Sequence, residues 1–183
     1  MQQPSFASIT LKTTLVHTVT YFITGFFAFT LLDYGAKYAD PVVAGLMRQT
    51  NHPLVAAGPA LQVLRGFLFG LVFYALREIT FPRKRGWLTL WLVLGIVGIL
   101  SPFGPSPSSI EGAIYTILPA WFHLMGLPEV LIQSGLLAFL TYYWVNHPEK
   151  KWLGWAFGIG FGLVVLLSAL GVLAALGILP SPG

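Results

Sequence analysis

The stretch WLGWAFGIGFGLVVLLSALGVLAALGIL, residues 152–179, runs without a single charged side chain. A helix needs roughly 20 consecutive apolar residues to cross the hydrocarbon of a bilayer, and this stretch exceeds that length. It decides the fold class, because a water-soluble domain has no use for so long a segment that is apolar on every face.

The rest of the 183-residue chain agrees. Hydrophobic residues make up 56% and charged residues only 9%, against about a quarter charged in an ordinary soluble domain. Too few charged side chains are present to cover a water-facing surface, so lipid is the solvent and the bilayer the first partner. No cysteine is present, which excludes disulfides, thiolate metal sites, thiol catalysis and c-type haem attachment. The formal charge of +4 comes from bases that flank apolar segments. That pattern belongs to a membrane surface and not to nucleic acid.

Outward from 152–179, four further spans are expected at about 13–34, 59–81, 87–103 and 128–145. The expected fold is therefore a single all-α transmembrane domain over 1–183. Asp40-Pro41, His52-Pro53, Phe81-Pro82, Ser101-Pro102 and His147-Pro148 mark breaks between elements. The apolar stretch 110–125 is short and contains Gly112 and Pro119. The bases decide its status. With five spans, Lys12, Arg77, Arg83, Lys84, Arg85, Lys150 and Lys151 all fall on one side, and only Lys37 and Arg48 on the other. This asymmetry places the N-terminus in the cytoplasm and the C-terminus outside. Counting 110–125 as a span would split the basic clusters, so residues 109–125 are expected to form a re-entrant or interfacial helix on the outer side. Ser108, three residues before Glu111, has capping-box spacing for its start. The turn-rich run 101–109 is expected to bend the chain back toward the outer mouth of the bundle. Residues 13–34 are expected to stay as span one, since the flanking bases and cleavage motif of a signal peptide are missing.

Two glycine patterns bear on packing. Gly154, Gly158 and Gly162 form one stripe on the fifth span, and Gly66 and Gly70 stand one turn apart on the second. Small residues at this spacing let helix backbones approach closely in lipid. Packing within the chain is the weightier expectation, and a homodimer or a contact with another membrane subunit the other. Trp87, Trp91, Trp121, Tyr142, Tyr143, Trp144, Trp152 and Trp155 fit an interfacial aromatic belt. No internal repeat of the kind that builds two-halved transporters is evident.

Polar residues within spans need partners. Arg65, about two turns into its span from the outer end, shares a helix face with Gln62 and is expected either to pair with Asp33, Glu111 or Glu129 or to snorkel to the outer headgroups. Glu129, after Pro128, suits a helix N-terminus, and Gln133 lies one turn deeper. Arg65, Gln62, Glu111, Glu129, Gln133 and Asp33 thus make up a candidate outer-facing ligand pocket. His17 shares a stripe with Thr13, Thr20 and Thr24, and a hydrogen-bonded interhelical histidine is favoured there over a proton relay or a haem ligand paired with His147. His52 and His123 have no metal-site spacing. No metal is assigned, and neither a cofactor nor catalytic residues are indicated. The loop bases Arg83, Lys84, Arg85, Lys150 and Lys151 suit anionic lipid.

Two functions follow. The favoured one is a non-catalytic subunit or interaction protein of a membrane complex, associating through the glycine stripe. The alternative is a membrane-embedded enzyme or small transporter using the pocket around Arg65, Glu111, Glu129 and Gln133.

Overall fold

A computed structural model describes residues 4–179. Among them every regular element is helical. Four helices are long and apolar enough to cross a membrane: α1 (Phe6–Leu31), α4 (Pro53–Ala75), α8 (Ala120–Asn146) and α9 (Lys151–Ala175). At about 1.5 Å rise per residue, their 23 to 27 residues reach about 35–40 Å, more than the ~30 Å of hydrocarbon. Shorter pieces connect them: α2 (Tyr34–Ala39), α3 (Pro41–Ala44), α5 (Arg77–Thr80), α6 (Gly86–Leu92) and α7 (Ile110–Tyr115).

The segment expected to span at 87–103 is α6 followed by a π-helical stretch, Val93–Leu100. Gly86–Leu100 is apolar but shorter than the other four. It covers at most about 22 Å at α-helical rise, and π turns occur preferentially at functional sites.

Proline explains the shifted boundaries. Pro53 starts α4 at its first turn, where an absent N–H costs nothing, and the His52 ring accepts from Leu54 N at 3.1 Å. Pro59 therefore lies inside α4 and does not begin it. Pro128 likewise sits inside α8, which starts at Ala120. One missing backbone hydrogen bond is tolerated where neighbouring helices support the segment.

The helix expected over 109–125 is accordingly two pieces. α7 ends at Tyr115, Thr116 is extended, and Ala120–Met125 are the first turns of α8. Nor does Ser108 cap α7. Ser109 does, its Oγ accepting from Gly112 N at 2.8 Å. Ser108 takes a positive φ of 69° and is tied to α8, its N donating to His123 Nδ1 at 3.1 Å and its Oγ to His123 O at 2.7 Å.

α1 is the central helix and packs on α4, α8 and α9, while α6 lies along α8. The α1–α4 contact explains Gly66 and Gly70. Any Cβ on them would stand 2.8 Å from Thr14 Cα and 2.8 Å from Thr10 Cα, respectively, so these two glycines serve packing inside the chain. The core beneath the contact is Ile9, Val16, Phe73, Leu90, Leu137 and Leu153. On α9 the stripe behaves differently. A Cβ at Gly154 would meet only Trp144 at 3.7 Å, and at Gly158 or Gly162 it would meet nothing within 4 Å.

Basic groups gather at one end of the bundle. Lys12 Nζ donates to Trp144 O at 3.1 Å, Lys150 Nζ donates to Tyr143 Oη, and Tyr142 Oη donates to Arg83 O at 2.7 Å. Arg83, Lys84, Arg85 and Lys151 are exposed there. Tyr34, Tyr38 and Lys37, which lies 5.3 Å from the Trp121 ring, belong to the opposite end.

Candidate functional site

The site is built on three helices. His17 of α1 is fully buried and engages both ring nitrogens: Nε2 pairs with Gln62 Oε1 at 3.1 Å and Nδ1 with Gln133 Nε2 at 3.0 Å. Gln62 Nε2 donates to Gly58 O at 3.2 Å, which leaves its Oε1 to accept from the imidazole. The pattern is self-consistent for one neutral tautomer, Nε2–H donating and Nδ1 accepting. The ring also meets Phe69 edge-on, with centroids 5.0 Å apart. The threonines on its stripe turn inward to their own helix: Thr13, Thr20 and Thr24 donate to Ile9 O, Val16 O and Thr20 O, each at 2.8 Å. His17 is thus a polar tie among α1, α4 and α8 with no nitrogen left for a ligand. His147 is used locally, pairing with Tyr143 O at 2.8 Å and stacking on the Tyr143 ring.

Glu129 stands in the third turn of α8 and caps nothing, since that helix begins at Ala120. Its Oε2 accepts from Tyr34 Oη. Its Oε1 lies 3.6 Å from where a Cβ on Gly25 would be, and no donor among the described residues reaches it. Asp33 explains why Tyr34 is there. It adopts a left-handed conformation with φ 49°, which turns the chain after α1, and its carboxylate accepts from Ala36 N at 3.3 Å to start α2. Tyr34 then stacks with Tyr38 at 5.3 Å. Burial first, and the adjoining Glu129 carboxylate second, push both hydroxyls above the ordinary tyrosine range.

Two cavities meet at Glu129. The larger, a vestibule of about 450 Å³, is lined by Tyr21, Phe22, Gly25, Phe26, Phe29, Tyr34, Tyr38, Pro107, Ser108, Phe122 and Met125 among others. The smaller, of about 90 Å³, lies between Arg65, Phe69, Gln133, Ser134 and the π segment at Leu94, Gly98 and Ile99. Glu129, Tyr21 and Val130 belong to both walls.

The expected pocket residues therefore sort into three groups. Arg65, Glu129 and Gln133 share the smaller chamber, and Gln62 joins Gln133 through His17. Glu111 lines a separate groove with Ile96, Ser101 and Phe103, and Asp33 is an exposed helix cap. The only ion pair among the described residues is Arg77–Glu78 at 2.9 Å. Arg65 has no carboxylate within that range and lies over the Phe69 ring at 5.4 Å. Its depth also differs from expectation. With α4 starting at Pro53, Arg65 is in the middle of the helix. The aromatic lining from Tyr34, Tyr38 and Phe122 was missed. The signal was present in the tyrosines that follow Asp33: Tyr34 fell at the end of span one and Tyr38 in the loop beyond it. Among the described residues no cluster of three His, Cys, Asp or Glu stands close enough to hold a metal.

The chain matches no protein-family model, no curated protein and no solved structure.

Proposed function

We propose that this protein is a five-span membrane protein that admits a small solute from the outer side into the vestibule and holds it at Glu129, as a small transporter or membrane-embedded binding protein. One observation carries this reading: Glu129 is the common wall of two cavities in series, and Arg65 and Gln133 face the inner one. Convergent polar groups in an otherwise apolar concavity are the general form of a ligand site. A charged residue kept in the middle of a membrane helix costs a few kcal/mol on insertion scales, and Arg65, exposed on α4, has no paired carboxylate to offset it. In this reading Gly86–Leu100 is the fifth crossing, set between the basic turn at 82–85 and the turn-rich run 101–109. The basic end faces the cytoplasm, where Arg83, Lys84, Arg85, Lys150 and Lys151 meet anionic headgroups.

The test uses the absence of native cysteine. Met125→Cys, on the vestibule wall, is expected to react with a membrane-impermeant methanethiosulfonate in proteoliposomes, whereas Leu64→Cys, on the exposed flank of α4, is not. Equal silence at both positions would remove the aqueous pocket.

A second reading has its own observation. Gly158 and Gly162 face space that the chain itself does not fill, which suits a helix of a second copy or of another membrane subunit. Under this reading Gly158→Leu abolishes a crosslinkable oligomer in native membranes while leaving the monomer fold intact. An unchanged oligomer distribution would count against it.

A further inference from the structure

We infer that the vestibule selects an organic cation with an apolar body, an amine or quaternary ammonium, whose charge is held by the free oxygen of Glu129. The inference rests on the pocket reading above and deepens it. Of the eighteen residues that line the vestibule, seven are aromatic and Glu129 alone carries a formal charge. Lysine and arginine are missing from that lining, and Arg65 faces only the smaller chamber. An anion entering the vestibule would meet a carboxylate and seven aromatic side chains, with no base to balance them. A cation would meet attraction from both, since ring faces bind ammonium groups within about 6 Å of the centroid.

The carboxylate geometry supports the same choice. Tyr34 occupies Oε2, while Oε1 lies over Gly25, a vestibule residue whose missing side chain leaves that oxygen approachable. A hydrogen-bond donor on the solute would complete what the protein leaves open. The volume of about 450 Å³ falls in the range of drug-sized ligand sites, roughly 300–1,000 Å³, and exceeds what a bare metal ion or ammonium needs. Phe22 and Phe26, stacked with centroids 6.4 Å apart on α1, supply an apolar wall on the side of Gly25.

Benzyltrimethylammonium and benzenesulfonate share a phenyl ring and differ in the sign of the charge, so they separate the possibilities. Binding to the full chain in lipid nanodiscs is measured by isothermal titration. The cation is expected to bind saturably and the sulfonate neither to bind nor to displace it. Glu129→Gln is expected to weaken the cation at least about tenfold, given the strength of ion pairs away from bulk water. Phe26→Leu keeps the apolar bulk and removes one ring face, for an expected loss of roughly two- to fivefold. Phe26 is exposed, so that variant remains informative if Glu129→Gln proves unstable. Saturable sulfonate binding, or wild-type cation affinity in Glu129→Gln, would overturn the cation assignment and leave the pocket standing. If neither probe binds wild-type protein, the cation assignment falls. The Met125→Cys reactivity then decides whether the pocket falls with it.

Discussion

Replacing His17 by leucine tests the polar tie at the centre of the bundle. The substitution keeps an apolar side chain of similar bulk but removes both ring nitrogens, and with them the 3.1 Å bond to Gln62 and the 3.0 Å bond to Gln133. Side-chain hydrogen bonds between membrane helices are worth about 0.6 kcal/mol on average and up to about 1.7. Two of them give roughly 1–3 kcal/mol. The edge-on contact with Phe69 adds roughly 0.5–1.5 kcal/mol. The sum is roughly 2–4 kcal/mol, a substantial part of the stability of a chain this small. Most of that cost comes from stranding Gln62 Oε1 and leaving Gln133 Nε2 only its 3.4 Å bond to Thr20 Oγ1, because an unmade hydrogen bond in a buried site costs more than a made one contributes. The triple variant His17→Leu, Gln62→Leu, Gln133→Leu strands nothing and is expected to recover at least half of the loss. Reversible unfolding in mixed micelles, followed by far-ultraviolet circular dichroism, measures both. A single variant within about 0.5 kcal/mol of wild type, or a triple variant with the three costs summed, would mean that the His17 nitrogens do not tie the helices.

Three further outcomes are expected. Gly70→Ala forces a methyl to 2.8 Å from Thr10 Cα and should destabilise the fold by about 1–3 kcal/mol through overpacking, while Gly158→Ala, facing open space, stays within about 0.5 kcal/mol; the same unfolding assay separates them. Gly112→Ala would set its Cβ 1.9 Å from Ser106 O, so the 101–112 turn must reopen, read as faster proteolysis there than in wild type. Tyr34 and Tyr38 should ionise above the ordinary tyrosine range in an ultraviolet titration. Because their folded pKa values lie above the unfolded ones, the stability they contribute is full below the ordinary tyrosine range near pH 10 and is lost as pH rises through the folded values. If both titrate in the ordinary range, the half-buried packing of this pair beside Glu129 is not formed.

The class of this fold was legible because 152–179 admits one solvent. The ends of the helices were not, and the reason is specific. Pro59 and Pro128 read as starts in a chain scanned locally, but a neighbour-supported helix absorbs a proline at the loss of one bond. That error put Glu129 at an apparent helix start instead of a helix interior, and Arg65 about a turn and a half nearer the helix end than it is. The π segment at Val93–Leu100 leaves no mark in the sequence beyond Gly95 and Gly98. His17 was recognisable as a residue needing partners, but those partners come from positions 45 and 116 residues away, a distance that only the packed bundle closes. The vestibule depends on the left-handed turn at Asp33 that brings Tyr34 back to α8. Its carboxylate was read as a counter-charge when its work is to start a helix.

A solute-accessible carboxylate between two chambers would be seen in a cryo-electron microscopy map of the protein in lipid nanodiscs, resolved well enough to show ordered water. Water or a small solute density is expected within hydrogen-bond distance of Glu129 Oε1, with Tyr34 on the other oxygen and lipid confined to the outer flanks of α4 and α9. An acyl chain filling the vestibule, with Glu129 paired directly to Arg65, would contradict it.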